Sequence, residues 1–574
     1  MKEIVSGSEA LMRALKNEGV TTIFGYPGGA IMPVYDALYD YTQGEQKAFH
    51  HVLARHEQAA THAAQGYARV SGKVGVCIVT SGPGATNTLT GVADAMMDST
   101  PLVVIAGQVN IGALGTDAFQ EVDLVGVAQP ISKWSYQIRR PEDVAWAVSR
   151  AFYIARSGRP GPVVLDFPTN AQKGTCTWEA QHVDFVRSYV PYPTLDQQAV
   201  SRAAELINGA KRPLALVGQG VELGGAQQEL LAFLERADIP CGRTMLGLSA
   251  VPTDHRLNMG MLGMHGQYAL SQLTQQCDVL IAIGMRFSAR VTGLMSTYAT
   301  QAKIIHLDID KSEIDKCIKT DVAVVADCKE SLPAITRLLD KAQHTAWISA
   351  FKPYHDEEEA TVIQPATHPT DGPLLMGEVV RTVAEATKGE AILVTDVGQN
   401  QLFACRYFSF SHQRSIVTSG GLGTMGFGLP AAIGATLGAP SRCVCLVTGD
   451  GGFQMSIQEL GTIMEQKAPV KMILLNNNYL GNVRQWQDMF WNHRRAFTRM
   501  LNPDYETIAQ AYHIDYERVS DRDALADAVE RMLTTDGPFL LECCVKEDDN
   551  VLPMTTPYRN VDEMALALAP DTEG

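Results

Sequence analysis

At 574 residues the chain is too long for one domain, and with 46% apolar and 19% charged residues it can fill the cores of three or four. Its net charge of −16 is spread along the sequence with no basic stripe, which argues against nucleic acid and anionic membranes as partners. The eleven cysteines are scattered without a Cys-x-x-Cys pair; this excludes a zinc or disulfide framework and suits reduced thiols in a cytoplasmic protein.

The first twenty residues, MKEIVSGSEALMRALKNEGV, read as an amphipathic helix without the apolar core of a signal peptide. No run approaches the roughly 20 apolar residues that span a bilayer. Apolar β-rich runs then alternate with helical patterns, at 74–81, 101–107, 161–167, 213–218, 278–284, 304–309, 391–396, 445–450 and 470–477. Near-continuous apolar strands separated by helices predict an α/β chain of parallel sheets covered on both faces. The polar, proline-dotted stretches 173–196 and 352–373 read as linkers, and the acidic run 356–359 as a solvated linker face. They divide the chain into units at 1–180, 190–345 and 370–555.

Two strand ends carry chemistry. CLVTGD ends in Asp450, and VKMILLNN ends in Asn476 and Asn477. SIQELGTIMEQ between them has helical spacing, with Ser456 as its N-cap. In a β-α-β unit the two strands are parallel, so Asp450 and Asn477 reach the same rim of the sheet, where ligands of open α/β sheets bind. A carboxylate and an amide carbonyl are hard oxygen donors that suit Mg²⁺, an ion that often shares diphosphate oxygens. Gly449, Gly451 and Gly452 leave backbone N–H groups open to a phosphate. Each piece alone is more often a turn or a strand terminator; it is their spacing on one unit that favours a site. In the middle region Gly218-x-Gly220-x-x-x-Gly224 misses the dinucleotide spacing by one residue. The acidic strand end at Asp308 lies far beyond the roughly 20 residues that a nicotinamide fingerprint wants, so an NAD dehydrogenase is a poor reading.

Gly449-Asp450-Gly451 followed by Asn476-Asn477 resembles the cofactor motif of thiamine-diphosphate enzymes. FGYPGGAIMPVYDAL (24–38), GTDAFQEVD (115–123), GRPGPV (158–163), RVTG (290–293) and VRQWQ (483–487) narrow the resemblance to the catalytic subunits of acetohydroxyacid (acetolactate) synthases, over about residues 5–555. The resemblance implies three doubly wound domains: pyrimidine-binding, FAD-binding and diphosphate-binding. It implies thiamine diphosphate, Mg²⁺ and FAD as cofactors, with Asp450, Asn477 and the Tyr479 carbonyl as metal ligands. Glu57, in RHEQAATHAAQGYAR, becomes the acid that stabilises the reactive tautomer of the aminopyrimidine.

Other roles follow from the same resemblance. Tyr26, Pro27, Gly28, Thr80, Pro83 and Asn87 flank the cofactor from the N-terminal side. Val397, Gly398, Gln399, Asn400, Gly423, Met425, Gly481 and Val483 join Gly449, Gly451 and Gly452 on the C-terminal side, with Met425 propping the cofactor into its bent shape. The flavin set is Arg159, Gly218, Gly220, Thr244, Met264, His265, Gly284, Arg286, Arg290, Asp308, Ile309, Asp327 and Cys328. Gly29 and Gln120 fall near the reacting carbon and its channel. Arg290 faces the acceptor carboxylate, and Trp486 favours the larger acceptor.

The implied reaction is decarboxylation of pyruvate and ligation to a second pyruvate or 2-oxobutanoate, as in branched-chain amino-acid biosynthesis; a flavin-dependent pyruvate oxidase is the alternative. A homodimer or homotetramer with the site between subunits, and a small regulatory subunit, are the implied partners. Thr169, Asn400, Asn482 and Ser288-Ala289 depart from the family's usual Lys, His, Met and Asp pair.

Overall fold

Three six-stranded sheets, all parallel, organise the chain in the computed structural model, which describes residues 3–43, 47–556 and 558–568. The N-terminal sheet runs His50–Leu53, Thr22–Gly25, Gly75–Val79, Leu102–Gln108, Pro162–Pro168, Trp134–Gln137. The middle sheet runs Asn258–Met261, Cys241–Arg243, Pro213–Val217, Val279–Ile283, Lys303–Asp308, Val322–Val325. The C-terminal sheet runs Ile416–Val417, Ile392–Thr395, Val444–Gly449, Val470–Asn476, Phe539–Cys544, Asp515–Val519. The strands are apolar at successive positions because both faces are covered. Ile473 and Leu475 enter one core while Met472 and Leu474 enter the opposite one. Ile281 and Ile283 are likewise separated from Leu280 and Ala282.

Five local expectations change. Met1 and Lys2 of the predicted first helix lie outside the described residues. Ile4–Ser6 is a strand paired antiparallel with Thr175–Thr177, and the helix starts at Gly7. That pairing belongs to the stretch 173–196, which is no free linker: Trp178, Val183, Val186 and Tyr189 pack on the N-terminal core. The stretch 352–373 is largely helical, over Lys352–Glu358, Glu359–Ile363 and Gln364–Thr367. Its acidic run is not uniformly solvated, because Glu358 is fully buried and pairs with Arg406 at 2.6 Å. Finally, Ser456 precedes a short 3-10 helix, Ile457–Glu459, that intervenes before Leu460–Gln466; its side chain makes no capping bond, and the Oγ is buried without a partner. Among the described residues no helix is long and apolar enough to cross a membrane.

The N- and C-terminal sheets are joined by two helices in backbone contact, Glu57–Ser71 and Gly428–Gly438. A Cβ on Gly434 would fall 1.8 Å from the Ala63 carbonyl oxygen, and one on Gly66 would fall 2.0 Å from that of Ala431. Only glycine permits so close an approach. The His62 and Phe427 rings pack edge to face, with centroids 5.1 Å apart.

Candidate active site

The Val444–Gly449 and Val470–Asn476 strands are adjacent and in register, Gly449 facing Leu475. Asp450 and Asn477 therefore leave the sheet at the same rim. The Asp450 carboxylate is buried and held by amides: Oδ1 accepts from the Gly451 N–H at 2.9 Å and Oδ2 from Asn502 Nδ2 at 2.7 Å. Asn502 Nδ2 also reaches Asn476 Oδ1 at 2.8 Å and Asn478 Oδ1 at 3.2 Å, so four oxygen-bearing side chains converge here. Burial pushes the Asp450 carboxyl up to about 6. A desolvated carboxylate among neutral amide oxygens is the donor set a hard cation needs. Asn477 Oδ1 accepts from the Tyr479 N–H at 3.3 Å, and its Nδ2 reaches Gln399 Oε1 at 3.5 Å.

Glycines line this rim because side chains would collide. A Cβ on Gly481 would sit 2.0 Å from Gln399 Oε1, and one on Gly452 would sit 2.1 Å from Asp396 Oδ1. Gly451 lies beneath Leu480, Met500 and Met425. Asp396 ends its own strand, and its carboxylate accepts from the N–H groups of Val397, Gly426 and Gly428 at 2.8, 3.1 and 2.8 Å. It thereby ties the loop containing Val397 and Gly398 to the loop containing Gly423 and Met425. Asn400 points back into the sheet, donating to the Val447 carbonyl at 3.2 Å. Val483 is exposed on the following helix.

A separate cluster stands on the N-terminal sheet. Glu57 is the first residue of its helix, which His56 caps by accepting from the Gln58 N–H at 3.1 Å. Asn87 Nδ2 donates to Glu57 Oε2 at 2.9 Å. Thr80 accepts from the Ala30 N–H at 3.3 Å, and a Cβ on Gly28 would lie 2.6 Å from Thr80. Gly82 and Gln120 both have left-handed backbones, with φ of 56° and 60°, and press together. Pro83 opens the short helix that ends at Asn87; Tyr26, Pro27 and Gly29 are exposed, and a Cβ on Gly29 would meet open space. The polar partners of Glu57 and Thr80 come from residues 28–120, and those of Asp450 and Asn477 from residues 396–502. Among the described residues the two clusters share no side-chain hydrogen-bond partner. Apolar side chains are left open around both: Met32 and Phe119 near the first, Leu422, Met455, Phe497 and Leu501 near the second.

Between the middle domain and the other two lies a cavity of about 520 Å³. Its lining includes every residue expected to meet flavin except Gly218, together with Val397, Gly398, Gly423 and Asn482. Gly218 lies just behind, where a Cβ would strike the Gly284 carbonyl oxygen at 2.2 Å. Arg159 is set by Ser99, Asp310 and Glu313 at 2.9, 3.2 and 2.7 Å. Burial pushes Asp308 up to about 6 and lowers His265 to about 3, so the imidazole is neutral. Asp327 caps the helix Cys328–Thr336. The Arg290 guanidinium lies 5.4 Å over the Trp486 ring, joining the middle and C-terminal domains. One turn before Trp486 on the same helix, Asn482 Oδ1 is buried without a partner, as is Trp486 Nε1.

Three family models of thiamine pyrophosphate enzymes match the chain: the N-terminal TPP binding domain over residues 5–127, the central domain over 200–335 and the C-terminal TPP binding domain over 396–543. Full-length relatives are closer. The acetolactate synthase large subunit of Lactococcus lactis subsp. lactis (strain IL1403) is 40% identical over 571 residues, 98% of this chain and 96% of that protein. The acetolactate synthase isozyme 2 large subunit of Escherichia coli (strain K12) is 41% identical over 572 residues, 98% of this chain and 100% of that protein. The chain belongs to the acetolactate synthase large-subunit family. The probable acetolactate synthase large subunit of Methanocaldococcus jannaschii, 41% identical over 568 residues, covers 96% of this chain and 94% of its own length.

Each matched region lies on one of the three sheets. The rims fit the thiamine pyrophosphate named in both terminal family models, through the glycine cradle at 449–452 and the buried carboxylate of Asp450. Sequence reasoning missed Asn502 and Asp396. Asp396 obeys the same strand-end rule that picked out Asp450, at the end of AILVTD. Asn502 sits in an irregular segment, and no local pattern marks it.

Proposed function

We propose that the chain is an acetolactate synthase that decarboxylates pyruvate and joins the two-carbon unit to a second pyruvate or to 2-oxobutanoate, giving 2-acetolactate or 2-aceto-2-hydroxybutanoate. The observation that carries this reading is the Arg290–Trp486 pair, in which a guanidinium that lines the cavity stacks over an indole ring. A 2-oxo acid offers the matching groups, a carboxylate for the guanidinium and an alkyl chain for the indole. The one-methylene difference between the two acceptors is worth about 1–3 kcal/mol in such a pocket.

Thiamine diphosphate, when bound, supplies the electron sink for decarboxylation. Asp450, Asn477 and the Tyr479 carbonyl would hold Mg²⁺ and, through it, the diphosphate. Asn87 fixes the Glu57 carboxyl by its 2.9 Å hydrogen bond, so that Glu57 can share a proton with the far pyrimidine nitrogen. FAD would occupy the cavity between Arg159 and Arg290.

Glu57 and Asp450 belong to half-sites with no shared partners, and exposed apolar side chains such as Phe119 (88% exposed) and Phe497 (100%) rim them. A second copy would complete each site and cover these residues, so the active form is at least a homodimer. The curated relatives are named large subunits, which supports a small regulatory subunit as a further partner.

Purified protein supplied with pyruvate, Mg²⁺ and thiamine diphosphate, with and without FAD and 2-oxobutanoate, tests the reading. Acetolactate is expected without peroxide. Peroxide, or a requirement for an external electron acceptor, would overturn it in favour of a pyruvate oxidase.

A further inference from the structure

The strand that delivers Asp450 to its rim begins, at the opposite edge of the sheet, beside two thiols. Cys443 and Cys445 are two positions apart, and the period of an extended chain puts both side chains on one face. Their Sγ atoms stand 3.9 Å apart. Cys443 is exposed and Cys445 is fully buried. Lys471 is aligned with Cys445 on the neighbouring strand, and its ammonium is fixed by the carbonyls of Thr535 and Gly537 at 2.6 and 2.8 Å. The hydrogen bond from Cys445 and the Lys471 charge hold the Cys443 thiol below the ordinary range. Among the described residues no other two cysteines form a hydrogen-bonded thiol pair. Nothing in the proposed reaction uses either sulfur.

We propose that Cys443 and Cys445 form a dithiol that hydrogen peroxide oxidises to an intramolecular disulfide, with Cys443 the attacking sulfur and Cys445 the resolving one. In the first step the Cys443 thiolate attacks one peroxide oxygen, the O–O bond breaks, and the second oxygen leaves as water after taking a proton. Cys443 is then a sulfenic acid. Cys445 Sγ attacks that sulfur, the S–O bond breaks, and the hydroxyl leaves as water with the Cys445 proton. Two thiols and one peroxide give one disulfide and two waters.

The geometry supports this order. Peroxide can reach the exposed Cys443, while Cys445 is buried away from solvent with its sulfur 3.9 Å from that of Cys443. Bonding requires the sulfurs to approach to about 2.05 Å. Cys443 precedes the strand Val444–Gly449, so the movement falls on it; its carbonyl accepts from the Ile392 N–H at 2.8 Å, at the start of the strand that leads to Asp396. The disulfide therefore pulls at the joint between the two strands that end in Asp396 and Asp450. A bond made across two positions of an extended chain is strained, which makes it readily reducible.

The test is peroxide treatment of the complete protein, alkylation, cleavage after Arg442 and mass spectrometry. The peptide that begins at Cys443 should lose two hydrogens, resist alkylation at both cysteines and recover on thiol reduction. Cys445→Ser should stop at a sulfenic acid on Cys443 that dimedone traps, and Cys443→Ser should leave Cys445 alkylatable. The proposal is overturned if wild-type Cys443 proceeds to sulfinic acid or pairs with another molecule. It is also overturned if both thiols stay alkylatable while other cysteines oxidise.

Discussion

Asp98 and Arg69 form an ion pair of 2.9 Å whose side chains are 0% and 5% exposed. The same Asp98 carboxylate accepts from the backbone N–H groups of Gly420 and Gly421 at 2.8 and 2.7 Å, and Arg69 donates to the Thr418 carbonyl. One turn earlier, Asp94 accepts from the hydroxyls of Ser419 and Thr424, the latter at 3.0 Å. Two acids of the N-terminal domain thus hold the glycine-rich loop that carries Gly423 and Met425.

Asp98→Ala should leave the Arg69 guanidinium buried and unpaired. Breaking such a pair destabilises a fold by about 3–5 kcal/mol. Thermal unfolding should shift down by several degrees, and the loosened loop should raise the thiamine-diphosphate concentration needed for half-maximal activity by more than it lowers kcat. An unchanged unfolding temperature would show that the pair does not hold the two domains.

The buried Glu358–Arg406 pair has a comparable place beside the cavity. Arg406 Nη1 donates to the carbonyls of His265 and Gly266 at 2.7 and 2.8 Å, and Glu358 Oε2 accepts from the Tyr268 N–H at 2.7 Å. The pair fixes the turn that presents Met264 and His265 to the cavity. Glu358→Gln weakens this clamp while preserving its shape. Flavin affinity, followed by fluorescence on dilution, should fall about tenfold, equivalent to about 1.4 kcal/mol. Flavin retention equal to that of the wild type would remove the clamp from the account of the cavity.

The three parallel sheets were legible in the sequence because doubly covered strands read as unbroken apolar runs. Asp450 and Asn477 were legible because strand ends in one β-α-β unit must share a rim. The helices at 352–367 were not: prolines and a run of like charges imitate a linker, and only the long-range partner Arg406 shows why Glu358 is inside. Long-range pairing also hid Asp94 and Asp98, which lie in and at the C-terminal end of an ordinary helix some 320 residues from the loop they hold. Thr169, another departure noted in the sequence, opens the short helix Thr169–Lys173; its effect on substrate has no structural explanation.

Glu57→Gln should separate chemistry from folding. The amide can still meet Asn87 but cannot act as an acid, and loss of a positioned acid–base group typically costs a factor of about 10²–10⁴ in rate. Turnover of pyruvate should drop by that order with an unchanged circular-dichroism melt. Near-normal turnover would remove Glu57 from the mechanism.

Glu459 gives the fold a pH dependence whose sign is fixed by burial. Its carboxylate accepts from the Arg55 N–H at 2.9 Å and from Thr462 Oγ1 at 2.7 Å, joining the N- and C-terminal domains. Burial outweighs these bonds and pushes it from 4.5 up to about 7. The folded chain therefore binds this proton more tightly than the unfolded chain does. The stability that Glu459 contributes is complete below pH 4.5 and is lost as pH rises through about 7. A shift of this size is equivalent to about 3 kcal/mol. Glu459→Gln keeps an acceptor for Arg55 and carries no charge, so its unfolding midpoint should be less dependent on pH between 5 and 8 and should exceed that of the wild type at the alkaline end. If variant and wild type lose stability in parallel across this range, the buried proton sits on another group.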